Sequence, residues 1–345
     1  MCRVYILIVN WNGWGDTIEC LESVFRLSYD NFKVVVCDNG SLDGSIEKIK
    51  YWADGKLNSW VPSDNLLRRL SYPPISKPIN YIEYEQSAAE NGVAEHNDTA
   101  RLVLVHTGGN LGFAGGNNVG IRYSIKRDDF DYVWLLNNDT VVQAESLRAL
   151  VETLGKNPQA GLCGSTLLYY DRPDLIQAQG GGALVRWKGV SSHIASGLLL
   201  AAALPREEVL TRLSYVVGAS MLVSKEFLRD VGLMNEEYFL YMEELDWAER
   251  AKGKFQLEYA PKSLVYHKEG AAIGTDSRGI GSSLSQRYLF RNRLLFYRKY
   301  YRKLLPPVML YLILQSLMAL IKGRFERFGI IWGALLSSPE SEKSQ

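Results

Sequence analysis

No charge of one sign dominates this chain: 39 lysines and arginines face 38 aspartates and glutamates over 345 residues. A near-neutral chain lacks the broad basic footprint of a nucleic-acid binder, so a nucleotide, if bound, is bound as a small molecule. Cysteine is scarce as well. Cys2, Cys20, Cys37 and Cys163 stand far apart with no metal-type pairing, and Cys37 and Cys163 fall in apolar runs that read as core, which fits a reducing cytoplasm. A secretory leader is not expected, because the first apolar run, residues 4–9, is short and passes straight into Asn10-Trp11-Asn12. No apolar run reaches the roughly 20 residues of a bilayer span. The run at residues 308–321 is interrupted by Gln315 and Ser316 and preceded by Pro306-Pro307, so it is not expected to cross a membrane. Repeats and low-complexity tracts are absent too. What remains is a chain with length and apolar content for one large domain, or for a domain with an appendage.

Residues 4–9, 33–37, 102–105 and 132–136 are short, aliphatic and bounded by turn residues, and they predict strands. Between them residues 17–27, 45–52 and 116–126 are compatible with helices. That alternation predicts parallel strands joined by crossovers and an α/β, Rossmann-like sheet covered on both faces. Residues 53–99, with Pro62, Pro73, Pro74 and Pro78, break the rhythm and read as an insertion, a solvated flap rather than an acceptor-binding element. Further on, the pattern predicts a helix at 144–156, a buried run at 161–168, one strand at 215–223, a helix at 238–251, and two short strands at 255–259 and 264–267.

Several strands are predicted to end in polar groups. The apolar run Trp134-Leu135-Leu136 closes on Asn137-Asn138-Asp139, a way to deliver one carboxylate to a cleft. Asn10-Trp11-Asn12-Gly13, Asp38-Asn39-Gly40-Ser41 and Asn110-Leu111-Gly112-Phe113-Ala114-Gly115-Gly116-Asn117-Asn118 are the other edges, and together they imply one crevice at the carboxyl ends of the sheet. Asp38 can accept hydrogen bonds from a base N–H or a ribose hydroxyl, although Asp38-Asn39-Gly40-Ser41 is also good Asx-turn chemistry. The glycine-rich segment opens a helix, so its N–H groups can face negative charge; its spacing is not that of a dinucleotide-binding loop. Asp139 can ligate Mg²⁺ or Mn²⁺, or merely cap a following helix.

These motifs, with Tyr238-Phe239-Leu240-Tyr241-Met242-Glu243-Glu244-Leu245-Asp246, resemble those of the family 2 glycosyltransferases of the GT-A fold, most of all a bacterial rhamnosyltransferase-like branch. The resemblance runs from Val4 to about Arg302 outside the insertion. It implies a donor pocket that draws on Asn10, Asn12, Asp38, Asn39, Asn110, Gly112, Gly115, Asn117, Asn137, Asn138, Gly218 and Ala219. Core packing explains the small residues at 218 and 219 equally well. It also implies a metal on Asp139, with Asn137 where the family carries a first acid, and with His267 as a second ligand that would favour Mn²⁺. A lone histidine is otherwise a structural residue. Glu244 matches the family's base, with Glu243 or Asp246 as substitutes. On a helix Glu243 and Asp246 share a face while Glu244 is turned about 100° from Glu243. An ordinary solvated helix face is the plain alternative.

The resemblance implies an inverting transfer of a sugar, rhamnose first among them, from a nucleoside diphosphate donor to a hydroxyl of a glycan or lipid-linked acceptor. A nucleotidyltransferase or a non-catalytic nucleotide-sugar binder are the alternatives; Asn10-Trp11-Asn12-Gly13-Trp14-Gly15 carries no base to hold a triphosphate. Residues 1–270 are read as the transferase domain and 271–345 as a helical extension. Basic residues before and after the apolar run at 308–321 suit a helix resting on the inner face of the membrane, against the alternative that Leu310, Leu314, Leu317 and Ile321 form a packing or dimer stripe.

Overall fold

The computed structural model describes residues 1–59, 61–92, 99–268 and 282–337. Its first half alternates as the sequence predicts: β1 (Val4–Asn10), α1 (Trp14–Val24), β2 (Phe32–Asp38), α2 (Ser45–Ala53), β3 (Tyr81–Glu85), α3 (Gln86–Asn91), β4 (Leu102–His106), α4 (Gly112–Arg127) and β5 (Tyr132–Leu136). β3, β4, β2, β1 and β5 pair in that order and all in parallel. Strands buried on both faces must be apolar throughout. Val4, Ile6, Ile8, Val34 and Val36 fill one layer, against α1, and Tyr5, Leu7, Val35 and Cys37 fill the other, against α4.

The second half adds β6 (Thr140–Val142), α5 (Ser146–Gly155), β7 (Ala160–Tyr169), β8 (Ile176–Gln179), β9 (Gly181–Val185), β10 (Val190–His193), α6 (Arg206–Arg212), β11 (Tyr215–Val216), β12 (Ser220–Ser224), α7 (Lys225–Val231), α8 (Glu243–Ala251) and β13 (Gln256–His267). β12 joins β5 antiparallel and carries the sheet on through β7, β13 and β6. β10, β9 and β11 form a separate antiparallel sheet.

Three expectations change here. The strand expected at 215–223 is two strands in two sheets. The pair expected around Pro261 is one strand, β13, whose register against β7 shifts between Ala260 and Leu264 and so absorbs the proline. The insertion is not a solvated flap throughout: it supplies β3 as a sheet edge, and Lys77 Nζ pairs at 2.7 Å with the buried Glu22 of α1.

After the domain boundary expected near residue 270, which lies outside the described residues, come α9 (Ser283–Tyr300), α10 (Leu305–Ile321) and α11 (Phe325–Leu336). Phe296 and Tyr297 of α9 and Val308 of α10 share a core cluster with Tyr238, Leu245 and Ala248, so these helices pack on the region around α8. Among the described residues one helical stretch, Arg302–Ile321, is long and apolar enough to cross a membrane by length and composition alone, longer than the 308–321 run the sequence marks. The packing stripe is also misplaced. Val308, Leu312, Ser316 and Ala319 face inward, whereas Leu310, Leu314, Leu317 and Ile321 are exposed.

Candidate functional site

β1, β2 and β5 end side by side, because parallel register sets Asn10 against Asp38. Asn10 Nδ2 donates to Asp38 Oδ1 at 2.7 Å, and Thr17 Oγ1 donates to Asn10 Oδ1 at 2.7 Å. The amide of Asn138 then donates to Thr17 Oγ1 at 3.1 Å, which carries the chain of contacts from the first two strands to the third. The Asx turn is formed: Ser41 N–H donates to Asp38 Oδ2 at 3.1 Å and Ser41 Oγ to Oδ1 at 2.6 Å. Oδ1 thus accepts two donors, and Oδ2, with one, keeps a lone pair to offer. Asn12 accepts from Leu42 N–H and fixes the same turn.

Asn39 ties this edge to the glycine-rich segment, donating to Asn110 Oδ1 and to Gly112 O, both at 3.1 Å. Gly112 sits at φ +71°, and a Cβ there would collide with Phe239 O, so no other residue fits without a shift. The next N–H, of Phe113, donates to that same Phe239 carbonyl at 2.8 Å. Gly115 packs on Leu111, and Asn117 bonds back to Phe113 O within α4.

On the other side of the crevice, Asp139 is followed by β6 rather than by a helix, so it caps none. Its Oδ1 is buried without a hydrogen-bond donor and lies 3.1 Å from His267 Nε2. Gln177 Oε1 sits 2.9 Å from His267 Nδ1. An acceptor there places the ring proton on Nδ1 and turns the Nε2 lone pair toward the carboxylate. Two electron-rich atoms at that distance fit a cation. Burial pushes the Asp139 carboxyl up, but without a cation the charge of a protonated His267, and then Lys268, more than offset it and hold it below its ordinary range; a bound cation would take the place of that Nε2 proton. Lys268 N–H donates to Asp139 O, and its Nζ reaches Asp16 and Glu19 of α1, which closes this rim. No three His, Cys, Asp or Glu side chains among the described residues form a metal cage. A divalent ion would therefore need oxygens from a bound diphosphate or water to complete its shell.

The helix predicted from residue 238 begins only at Glu243. Phe239, Tyr241 and Met242 all adopt positive φ, 57°, 68° and 77°, a costly backbone for side chains of this size. The loop survives because its surroundings hold it. Asn292 Nδ2 of α9 donates to the carbonyls of Tyr238, Leu240 and Tyr241 at 2.6, 2.7 and 3.2 Å, and Phe239 stacks on Tyr288 at 4.9 Å.

The loop delivers three acids into three environments. Glu244 Oε1 accepts the N–H of Gly218 at 3.2 Å, and the carbonyl of neighbouring Ala219 accepts from Asn137 N–H at 3.1 Å, so the acid and the Asn137–Asp139 turn flank one short segment. Burial raises the Glu244 carboxyl above the ordinary value of 4.5. Glu243 is 2% exposed, its Oε2 has no partner, and burial followed by the charge of Glu244 pushes it well above that value. Asp246 is fully buried, and Lys299, Tyr300 and Arg250 surround it at 2.8, 2.6 and 2.8 Å. These partners hold it below the ordinary range against burial. The shared face of Glu243 and Asp246 is thus an inner face, and a solvated charged stripe is excluded.

The sequence model of "Glycosyl transferase family 2" matches residues 5–61 and 88–229, more than half of the chain. The chain belongs to glycosyl transferase family 2. The stretch without a match, between 61 and 88, falls within the insertion. The "Low-salt glycan biosynthesis hexosyltransferase Agl10" of Haloferax volcanii is 29% identical over 184 residues, 52% of this chain and 56% of that one. The chain thus spans little more than half the length of that curated relative. Among solved structures, a mannosyltransferase from Pyrobaculum calidifontis in complex with GDP-Man and Mn²⁺ is 12% identical with a TM-score of 0.51, covering 97% of this chain and 85% of that one. GalNAc-T7 with UDP, GalNAc and Mn²⁺ is 14% identical with a TM-score of 0.52, covering 87% and 49%. At such identities the likeness shows the fold, which is the GT-A fold.

In this family 2 chain several residues of the crevice escaped the sequence reading. Gln177 lies on β8, whose sequence Ile-Gln-Ala-Gln gives no strand signal, and Asn292 stands in a charged helix far along the chain. Thr17, in the first turns of α1, looked like any helix residue. Each acts through another side chain or a backbone carbonyl, and that leaves no local pattern.

Proposed function

We propose that the chain is a metal-dependent, inverting glycosyltransferase that moves a sugar from a nucleoside diphosphate donor to a hydroxyl of a glycan or lipid-linked acceptor. One observation carries the reading: a continuous series of hydrogen bonds runs from Asp38 through Asn10, Thr17 and Asn138 to the Asn137–Asp139 turn and on through Ala219 and Gly218 to Glu244. Three carboxylates from distant parts of the chain are thereby linked in one network, which supports a shared site.

In this reading the nucleoside lies along Asp38, Asn39 and the Asn110 to Gly112 segment. Asp139 and His267 would hold Mn²⁺ or Mg²⁺, which when bound would offset charge on the diphosphate. Glu244 takes the acceptor's proton as the new carbon–oxygen bond forms, while the bond from the anomeric carbon to the diphosphate oxygen breaks and its electron pair leaves with the diphosphate. One displacement inverts the anomeric centre. Asp246 is no base, because four hydrogen-bond donors, counting Tyr238, occupy it. Glu243 has no route to the cleft from its buried position. Rhamnose is the first donor sugar to test. The reading places the protein in the cytoplasm, in peripheral contact with the inner face of the membrane.

Release of nucleoside diphosphate from a panel of nucleotide sugars, with and without Mn²⁺, tests the proposal. Turnover that needs the ion and falls with Asp139→Ala supports it. Donor binding with no release in the presence of any acceptor would show a binding protein instead.

A further inference from the structure

Arg293 of α9 is 5% exposed, and its Nε and Nη1 are buried with no hydrogen-bond partner. No carboxylate among the described residues pairs with it. It lies among Phe290, Tyr297, Val308 and Tyr311, and a second cation acts on it, Arg327 of α11, whose Nη1 donates to the neutral amide of Gln286 at 3.3 Å. Both guanidinium carbons lie 5.5 Å from the Phe290 ring centre. Two arginines over one ring without an anion repel each other, and a buried unpaired charge is costly. Burial pulls Arg293 down to about 10, so it remains charged at neutral pH.

The same helical layer exposes apolar side chains: Leu310 at 58%, Leu314 at 49%, Ile321 at 84% and Phe325 at 69%. Arg302 and Lys303 precede this face, Lys322 and Arg324 interrupt it, and Trp187, at the tip of the β9–β10 hairpin, is 56% exposed. Lys188 of that tip lies over Tyr311 of α10. Apolar surface bordered by cations and an interfacial tryptophan complements an anionic leaflet.

We propose that α10 and α11 lie in the plane of an anionic phospholipid leaflet and that Arg293 and Arg327 receive a lipid headgroup phosphate. This deepens the membrane contact of the reading above and is independent of the transfer chemistry. α10 does not span. Leu312 packs against Phe290 and Leu294 of α9, a helix that also carries Arg287, Arg291, Arg298 and Lys299. Crossing the bilayer would take those charges with it, at a steep cost in the hydrocarbon centre.

Flotation of the full chain with vesicles tests this without donor or acceptor, so its failure leaves the transfer reading intact and the converse holds. The chain is expected to float with vesicles of equal parts phosphatidylcholine and phosphatidylglycerol and to stay down with phosphatidylcholine alone. Inorganic phosphate, which lacks acyl chains, should not release it. The double variant Leu314→Glu, Leu317→Glu should lose flotation. Arg293→Gln should weaken it about tenfold, the scale of one charge-assisted hydrogen bond, and yet raise the melting temperature in buffer by removing an unpaired charge. A purely structural arginine would give the reverse, a lower melting temperature with unchanged flotation, and would overturn the proposal. So would a stable dimer in light scattering that the double variant dissolves, or retention in cell membranes through alkaline carbonate extraction, the mark of a span.

Discussion

Glu243 and Glu244 are adjacent in sequence and have nothing in common in surroundings. Glu244 keeps partial access to the crevice and points at a backbone N–H; Glu243 is sealed inside with a bare oxygen. Replacing Glu244 with glutamine is expected to lower kcat by about 10²–10⁴ while leaving nucleotide binding in a thermal-shift assay unchanged. Because its carboxyl is raised, the acid limb of the kcat/KM profile should lie above pH 4.5. Glu243 predicts a stability effect instead. A carboxyl raised in the folded state ionises first in the unfolded chain, so stability falls as pH climbs from the ordinary 4.5 toward the folded value and stays low beyond it. Glu243→Gln should therefore melt higher than the parent at about pH 8, with the difference gone at about pH 4. Gly218→Ala adds a Cβ 2.6 Å from the Phe113 ring and 2.9 Å from Glu244 Oε1. It is expected to displace the acid and cut kcat, with donor affinity kept.

α8 and α9 are joined through Asp246, whose partners Lys299 and Tyr300 come from α9. Lys299 and Arg250 keep access to solvent, so Asp246→Ala mainly removes hydrogen bonds, those of Tyr238 and Tyr300 among them, and should cost about 1–3 kcal/mol in denaturant unfolding. None of this was visible in the sequence. Tyr238 to Ala251 has helical composition, and only the carbonyls held by Asn292 show why the first five residues leave the helix. Similarly, Leu310, Leu314, Leu317 and Ile321 have the spacing of a packing stripe, and spacing does not tell which of two apolar faces meets a neighbour. Periodicity identified an apolar helix; its partner chose the buried side.

Across the molecule, the parallel half was legible and the antiparallel half largely was not. β1, β2, β4 and β5 are buried on both faces, so each shows as an unbroken aliphatic run that ends in a polar residue. β8 and β10 read Ile-Gln-Ala-Gln and Val-Ser-Ser-His, because their polar groups are satisfied by neighbours far along the chain. Asp139 and His267, the proposed ligands, are brought together where His267 of β13 pairs with Thr140 of β6. Mn²⁺ with a nucleoside diphosphate should raise the melting temperature more than either alone, by about 2.7 kcal/mol of stabilisation at a hundredfold excess over Kd. Asp139→Ala should abolish the Mn²⁺ increment.

The grip of Asn292 on three carbonyls of one loop has a practical corollary for shortened proteins. A chain stopped just past His267 would retain every strand of both sheets, yet the segment presenting Glu244 would lose the Asn292 clamp together with the Tyr288 and Ser285 contacts of α9. Such a truncation would also uncover Tyr238, Leu245 and Ala248 and leave buried Asp246 without Lys299 and Tyr300, so it is expected to melt lower and, toward its acceptor, to behave like a vice with its screw removed.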